Sequence, residues 1–242
     1  MNKIYARPRS LKEVNTHYCP GCGHSTVHRL IAEVIDELGI REKVIGVAPV
    51  GCAVIAYDYW DFDCSEAAHG RALAVATAIK RVRPQNIVFT YQGDGDLAAI
   101  GTNETIHAAN RGENLTVIFI NNAIYGMTGG QMAPTTLLGQ KSATTPSGRK
   151  AEVHGYPLKI SEMLASLPAV RFVERVSLVS PAEIMKTKRA IKEAFSNQMN
   201  NIGFSLVEVL SPCPTYWGVS PKESLTWIEE LLAKEFPVGR IK

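Results

Sequence analysis

Residues 86–122 contain two apolar runs, N-I-V-F-T-Y-Q-G-D-G-D (86–96) and L-T-V-I-F-I-N-N (115–122), separated by residues with helical spacing. The apolar part of each run has the length and composition of a buried strand. The sequence therefore predicts a strand, a glycine turn, a helix and a second strand parallel to the first. Parallel strands joined in this way end at the same edge of a sheet, so Asp94 and Asn122 should meet there.

The two turns carry residue types that suit a diphosphate bound through magnesium. Asp94 and Asn122 offer oxygen ligands, and Mg²⁺ completes its octahedron with phosphates and water. Gly93 and Gly95 allow the backbone to turn sharply and approach a ligand closely. The helix that begins near Leu97 favours an anion at its N-terminus. Taken alone, G-D-G is more often a tight turn that binds nothing, but its place after an apolar strand, with N-N closing the next strand, favours the site.

The rest of the chain alternates predicted helices and strands. Helices are expected after the C-P-G-C-G segment (ending at Gly39) and at about 66–82, 160–167, 181–198 and 222–235, and strands at 43–48, 170–176 and 203–210. This alternation predicts an α/β fold, a doubly wound and mostly parallel sheet with helices on both faces. We expect a single domain over 1–242, in which an N-terminal arm and a C-terminal segment contribute to a second site.

Two segments show no regular period. Residues 53–65 are rich in aromatic side chains, and residues 123–157 are rich in Gly, Thr, Pro and Gln. An irregular stretch as long as the second one is usually a functional lid or a binding loop.

Composition excludes several classes of protein. The 242 residues are 45% hydrophobic and carry a net charge of +3, as in an ordinary globular protein. The basic cluster at 80–83 is too short for a nucleic-acid footprint. There is no apolar run of membrane-spanning length and no signal peptide, so we expect a cytoplasmic protein without membrane or nucleic-acid partners.

The five cysteines are not expected to form disulfides in that compartment. Cys19 and Cys22 form a C-x-x-C pair, Cys52 follows V-G, and Cys213 lies in P-C-P-T. Four such thiolates can hold a zinc ion or a [4Fe–4S] cluster, and a redox-active C-x-x-C or buried free thiols are further possibilities. The spacing alone does not choose among them.

Several motifs together resemble one family. They are C-P-G-C-G-H (19–24), H-G-R-A (69–72), G-D-G-D (93–96), N-N-x-x-Y-G-M-T-G-G-Q (121–131) and P-C-P-T (212–215). In this order the chain resembles the β subunit of the 2-oxoacid:ferredoxin oxidoreductases, and G-D-G-D…N-N resembles the thiamine-diphosphate motif of thiamine-dependent enzymes. The resemblance implies the thiamine-diphosphate-binding fold.

The resemblance assigns the cofactor site. Asp94 and Asn122 would bind Mg²⁺ through their side chains, and Ile124 through its backbone carbonyl. Further contacts to thiamine diphosphate are implied for Gly51, Cys52, His69, Gly93, Gly95, Asp96, Tyr125, Gly126, Met127 and Thr128.

The resemblance also assigns the cysteines, since Cys19, Cys22, Cys52 and Cys213 match the ligands of a [4Fe–4S] cluster near the thiamine ring. Cys64 has no place in that pattern. His69 and Arg71 are candidate catalytic residues, although a histidine at a helix entry also serves for capping or packing. His24 either forms a hydrogen bond near the cluster or is an ordinary polar residue.

The implied reaction is oxidative decarboxylation of a 2-oxoacid to acyl-CoA and CO₂, with coenzyme A as co-substrate and electrons passing through the cluster to ferredoxin. Many relatives that act on 2-oxoglutarate or on a broad range of substrates carry a lysine where Gly129 stands, and glycine cannot pair with a distal carboxylate. We therefore expect a branched-chain substrate such as 2-oxoisovalerate. The alternatives are 2-oxoglutarate or pyruvate, or a non-catalytic iron–sulfur or zinc protein.

The resemblance further implies partner subunits. Thiamine enzymes need a glutamate against the aminopyrimidine ring, carried on a second domain of related fold, for which 242 residues leave no room. An α subunit would supply that glutamate, with γ and ferredoxin-like δ subunits as additional partners.

Overall fold

The computed structural model describes residues 6–242, so the first five residues of the predicted arm lie outside the described residues. It contains one sheet of seven strands in the order β2-β1-β3-β4-β6-β5-β7. The strands are β1 (Val44–Ala48), β2 (Asp63–Glu66), β3 (Ile87–Gly93), β4 (Thr116–Asn121), β5 (Val170–Ser177), β6 (Phe204–Leu210) and β7 (Gly239–Arg240). All neighbours are parallel except β7, which pairs antiparallel with β5. The predicted fold class is confirmed.

Helices connect the strands. They are α1 (His24–Leu38), α2 (Ala72–Val82), α3 (Thr102–Asn110), α4 (Ala151–His154), α5 (Ile160–Ala165), α6 (Pro181–Met199), α7 (Pro214–Trp217), α8 (Pro221–Trp227) and α9 (Ala233–Glu235). The chain is π-helical at Asp96–Ile100, before α3, and at Ile228–Leu232, between α8 and α9. Short 3₁₀ turns occupy Arg41–Lys43 and Ala56–Asp58.

The sheet lies between two helical layers. On one face, α1 and α6 pack against a core that contains Phe89 and Ile118. On the other face, α2, α3 and α5 cover Val117 and Phe119. Every residue of β4 and β6 is buried. Strands covered on both faces read as continuous apolar runs, which is why the sequence pattern identified them.

Two elements differ from the prediction, and one long irregular stretch agrees with it. Residues 63–66, expected to be irregular, form the edge strand β2, because pairing with β1 outweighs the polar composition D-C-S-E. Helix α2 begins at Ala72 rather than near 66, since a turn in which Arg71 N–H donates to Ala68 O precedes it. The stretch 123–157 is irregular as predicted, apart from isolated bridges and α4.

None of the helices within residues 6–242 is long and apolar enough to cross a membrane.

Candidate functional site

The carboxyl ends of β3 and β4 meet at the centre of the sheet, where Gly93 is paired with Ile120. A cavity of about 100 Å³ opens at this edge. Its lining contains every residue predicted to contact the cofactor: Gly51, Cys52, His69, Gly93, Asp94, Gly95, Asp96, Asn122, Ile124, Tyr125, Gly126, Met127 and Thr128. It also contains residues that the sequence did not single out for it: His24, Pro49, Val50, Ala53 and Ile120. We call this the diphosphate cavity.

Asp94 is a buried carboxylate without a counter-charge. It accepts hydrogen bonds from Thr135 Oγ1 (2.6 Å) and from the Gly95 backbone N–H (2.8 Å). Within residues 6–242 no lysine or arginine forms an ion pair with it. Burial raises the pKa of Asp94 to about 7, although these hydrogen bonds act in the opposite direction. A carboxylate in this state gains most from a bound cation, so the position fits Mg²⁺.

The turn after β4 aims its polar groups at the same cavity. Ala123 has a left-handed backbone (φ 56°), which is costly for a residue with a Cβ. The Ile124 N–H donates to Asn122 Oδ1 (3.3 Å), and Trp217 Nε1 donates to the Asn122 carbonyl (3.0 Å). Thr136 Oγ1 also donates to the Ala123 carbonyl (2.7 Å). Neighbouring segments therefore hold this strained turn in place.

The first glycine turn leaves no room for side chains. A Cβ at Gly95 would overlap the ring of Tyr125, whereas a Cβ at Gly93 would meet no atom within 4 Å and would project into open space. Because Gly93 lines the diphosphate cavity, that space is where a ligand approaches the backbone. Glycine is thus required at the two positions for different reasons.

Asp96 joins several elements rather than facing a ligand alone. Its Oδ1 accepts from His69 Nδ1 (2.6 Å) and from the Gly70 N–H (2.9 Å), and its Oδ2 accepts from Gln92 Nε2 (2.6 Å). The bond to Nδ1 orients the His69 ring, and His69 lines the diphosphate cavity.

Arg71 does not line the diphosphate cavity. Its guanidinium pairs with Glu104 (2.5 Å) and donates to the carbonyls of Gly70 and Ile100 (both 3.4 Å). A catalytic role for Arg71 therefore stays a prediction without support from its position.

The irregular stretch 123–157 is organised by a buried arginine, Arg149. Its guanidinium donates to six backbone carbonyls: Ala133, Pro134, Thr136, His154, Gly155 and Tyr156. Three of these acceptors flank Thr135, the residue that donates to Asp94. This stretch is therefore fixed against the diphosphate cavity by hydrogen bonds that no sequence period reveals.

A second cavity, of about 60 Å³, lies beside the first. Its lining contains Cys19, Cys22, Cys52 and Cys213, so the structure brings together all four cysteines of the predicted cluster site. A Cβ at Gly126 would lie 3.1 Å from Cys52 Sγ and 3.7 Å from Cys213 Sγ, so both sulfurs pack against that glycine. Cys64 lines neither cavity; its sulfur contacts the Phe62 carbonyl at 3.5 Å. We call this the cysteine cavity.

The thiols of this cavity are costly to ionise unless a metal is bound. Burial raises the pKa of Cys22 and Cys213 to about 12 and that of Cys52 to about 11. Backbone N–H groups act in the opposite direction, with His24 N–H directed at Cys22 and Tyr216 N–H at Cys213. Amide donors aimed at sulfur are a feature of iron–sulfur sites.

The cysteine cavity offers four sulfur donors. Among the described residues, no three His, Cys, Asp or Glu side chains are grouped so as to hold a single metal ion as they stand. Four cysteine thiolates are the donors that both a zinc ion and a [4Fe–4S] cluster require.

Aromatic and imidazole rings pack behind the cysteine cavity. Tyr91 Oη lies 2.7 Å from His24 Nδ1, and Tyr18 Oη lies 3.0 Å from His28 Nε2. The ring of His28 stacks on Trp60 at 4.4 Å. Burial lowers the pKa of His24 to about 4 and that of His28 well below its usual value. No sequence signal pointed to His28, because spacing does not distinguish a buried histidine from an exposed one.

Residues 50–209 match the family model described as the C-terminal thiamine pyrophosphate-binding domain of thiamine pyrophosphate enzymes. The chain is 51% identical to the ketoisovalerate oxidoreductase subunit VorA of Methanothermobacter marburgensis, across 99% of this chain and 52% of that protein. The chain therefore spans about half the length of that relative. It is 40% identical to the 2-oxoglutarate synthase subunit KorB of Methanocaldococcus jannaschii, across 83% of this chain and 70% of that protein.

A solved structure has the same architecture. The 2-oxoglutarate:ferredoxin oxidoreductase from Magnetococcus marinus, with 2-oxoglutarate, coenzyme A and succinyl-CoA bound, superposes with a TM-score of 0.76. The two are 30% identical, and the match covers 89% of this chain and 70% of that chain.

Proposed function

The chain belongs to the 2-oxoacid:ferredoxin oxidoreductase family, and from that premise we propose that it is the thiamine-diphosphate-binding subunit of such an enzyme. The reaction would be oxidative decarboxylation of a 2-oxoacid to acyl-CoA and CO₂, with electrons passed through a [4Fe–4S] cluster to ferredoxin. One observation carries the proposal: the diphosphate and cysteine cavities share a wall, formed by His24, Cys52, Asn122 and Gly126. A cofactor that releases electrons would thus lie next to a group that accepts them.

The diphosphate end of the cofactor would be held at the sheet edge. Asp94, Asn122 and the Ile124 carbonyl would bind Mg²⁺, and Gly93 would let the phosphates approach the backbone. When bound, thiamine diphosphate supplies the nucleophile and the electron sink for decarboxylation. The protein's own contribution is to bury the Asp94 carboxylate without a counter-charge, so that a bound cation would stabilise it, and to fix its ligand oxygens in advance of binding.

His69 is the side chain best placed to move a proton in the diphosphate cavity. Asp96 accepts from Nδ1 at 2.6 Å, which leaves Nε2 as the ring nitrogen available to a group bound in the cavity that His69 lines. A carboxylate–imidazole pair of this kind can exchange a proton with a bound group at Nε2. We propose His69 as the acid–base residue on this chain and Asp96 as the residue that orients it.

The substrate proposed is a branched-chain 2-oxoacid such as 2-oxoisovalerate, in line with the name of the 51% identical relative. Gly129 has φ 113°, a conformation that side chains rarely adopt, and its position is exposed. A lysine there would reach the cavity mouth only at the cost of backbone strain. Met127, 54% exposed and lining the cavity, presents an apolar contact instead.

The substrate proposal is tested by comparing Gly129→Lys with Gly129→Ala in the assembled enzyme. We expect both variants to lose activity through strain, but only Gly129→Lys to raise the ratio of kcat/KM for 2-oxoglutarate over 2-oxoisovalerate, by about tenfold. A wild-type enzyme that already prefers 2-oxoglutarate or pyruvate would contradict the branched-chain assignment.

Partner chains are part of the proposal. No glutamate side chain of residues 6–242 lines the diphosphate cavity, whereas thiamine enzymes of this kind need one against the aminopyrimidine ring. We propose that an α subunit supplies it and covers the exposed cavity mouth at Met127 and Thr128. Further γ and ferredoxin-like δ subunits, and ferredoxin itself, would complete the complex.

Anaerobic co-purification followed by iron, zinc, magnesium and thiamine analysis tests the function as a whole. We expect four irons and one thiamine diphosphate per chain, together with an α subunit. A colourless protein that contains zinc and no thiamine would favour the non-catalytic alternative and refute the proposal.

A further inference from the structure

The wall between the two cavities contains one aromatic ring, that of His24, alongside Cys52, Asn122 and Gly126. His24 is the first residue of α1 and follows Cys22 by two positions. Its ring is 4% exposed and lines both cavities. Tyr18, which also lines the cysteine cavity, stacks on one face of it, with ring centroids 4.8 Å apart and planes inclined by 20°.

Tyr91 selects the tautomer of this ring. Its hydroxyl lies 2.7 Å from His24 Nδ1 and has no other hydrogen-bond partner within residues 6–242. If Nδ1 carried the proton, the buried hydroxyl hydrogen of Tyr91 would be left without an acceptor, which is costly. Tyr91 therefore donates to Nδ1, and the neutral imidazole carries its own proton on Nε2.

Resting on the proposed function, we propose that His24 Nε2–H donates a hydrogen bond to a sulfur of the cluster held in the cysteine cavity. Tyr91 is the positioning residue that selects this tautomer and fixes the ring. The backbone N–H groups of His24 and Tyr216 already point at the sulfurs of Cys22 and Cys213, so Nε2–H extends an existing set of donors.

The hydrogen bond has a definite electrostatic consequence. Reduction adds one electron, and so one negative charge, to the cluster, while no atom is transferred. A donor at sulfur stabilises the more negative, reduced state, and so raises the reduction potential. Removing the donor should make the cluster harder to reduce by electrons from the thiamine side.

The test is a redox titration of the anaerobically purified complex, followed by electron paramagnetic resonance of the cluster. In His24→Phe we expect the equilibrium constant for one-electron reduction to fall roughly tenfold, which corresponds to a potential about 59 mV more negative. Tyr91→Phe should shift the potential in the same direction by less. His24→Gln, which keeps an N–H donor, should recover part of the loss.

A double-variant cycle separates the two roles. If Tyr91 acts through His24, then Tyr91→Phe adds nothing in the His24→Phe background. An equal shift in both backgrounds overturns the role of Tyr91. The matched control is His107→Phe, which replaces an exposed histidine on α3 and should leave the potential unchanged.

The remaining outcomes distinguish this inference from the proposed function. A wild-type complex without iron refutes the function itself. A complex that holds the cluster, but whose His24→Phe potential equals that of the wild type, overturns the inference alone. Weaker thiamine diphosphate binding with an unchanged potential would place the Nε2 donor on the diphosphate side and would also overturn it.

Discussion

The diphosphate cavity takes most of its walls from residues 93–96 and 120–128, which follow two neighbouring strands at the centre of the sheet. The cysteine cavity takes its sulfurs from three segments far apart in sequence: 19–22, 52 and 213. The first is cross-linked by side-chain hydrogen bonds, such as Thr135 to Asp94 and Gln92 to Asp96. Two of the cysteines instead receive backbone N–H groups, from His24 at Cys22 and from Tyr216 at Cys213, and Cys19 is exposed. Among the described residues, the diphosphate cavity is therefore the one held together by more side-chain hydrogen bonds.

The largest effect is expected from Cys213→Ser, which should abolish the cluster because four thiolates are needed to hold it. Iron content and the visible spectrum should fall to background, while the affinity for thiamine diphosphate stays within about twofold, since the diphosphate cavity is built independently. Cys64→Ser is the matched control and should keep all its iron. Loss of thiamine binding in Cys213→Ser would show that the two cavities are not separable.

Asp94→Ala tests the other cavity. We expect the affinity for Mg²⁺-thiamine diphosphate to fall by at least about 100-fold, because a charged metal ligand is lost. The cluster spectrum should be unchanged. The cofactor-free variant should be no less stable than the wild type, since a buried carboxylate without counter-charge has been removed. Asp63→Ala, at an exposed position on β2, is the control. Concurrent loss of the cluster would contradict the prediction that the two cavities bind their ligands independently.

A smaller effect is expected from Arg149→Met. The six carbonyls that Arg149 binds would lose their donor, and Thr135 would be released from Asp94. We expect about tenfold weaker binding of thiamine diphosphate and faster amide hydrogen exchange at 133–137. The cluster potential should not move. Arg111→Met, which changes a partly exposed arginine paired with Glu113, should alter neither quantity. Unchanged exchange at 133–137 would refute this role.

The smallest expected effect is that of acidic pH on the stability of the fold. Burial holds the pKa of His28 well below 6.5, so the unfolded chain binds more protons there below that pH. The stability contributed by neutral His28 is complete above pH 6.5 and is lost as pH falls, by at most about 1.4 kcal/mol per pH unit. Asp94 has the opposite effect on stability in the cofactor-free protein. Because burial raises its pKa to about 7, its protonation at lower pH favours the folded state.

As pH falls, α1 beside the cysteine cavity should therefore lose stability at a higher pH than β3, which leads into the diphosphate turn. Hydrogen exchange of the cofactor-free protein at pH 7 and pH 5 measures this, with amides of α1 compared against those of β3. His28→Phe should reduce the difference. An equal increase in exchange in α1 and β3, or a larger increase in β3, would contradict this prediction.

Much of the site could be predicted because it follows directly from strand ends. Asp94 and Asn122 come immediately after buried strands, and the topology of a parallel sheet brings such positions together. The contacts that could not be predicted are those in which a side chain from one segment binds a segment distant in sequence. Nothing in the spacing of Arg149 indicates a buried guanidinium. Arg71, near His69 in sequence, points away from the cavity toward Glu104.

The sequence by itself determined the doubly wound sheet, the residues at its carboxyl edge and the motifs that mark the family, because strand periodicity and turn residues act locally. The tertiary structure decided which side chains contact one another and which are buried. It placed His24 in the wall between the two cavities, bound its ring to Tyr91 and left Asp94 buried without a counter-charge. Such relations depend on packing between segments far apart in the chain, and local pattern carries no information about them.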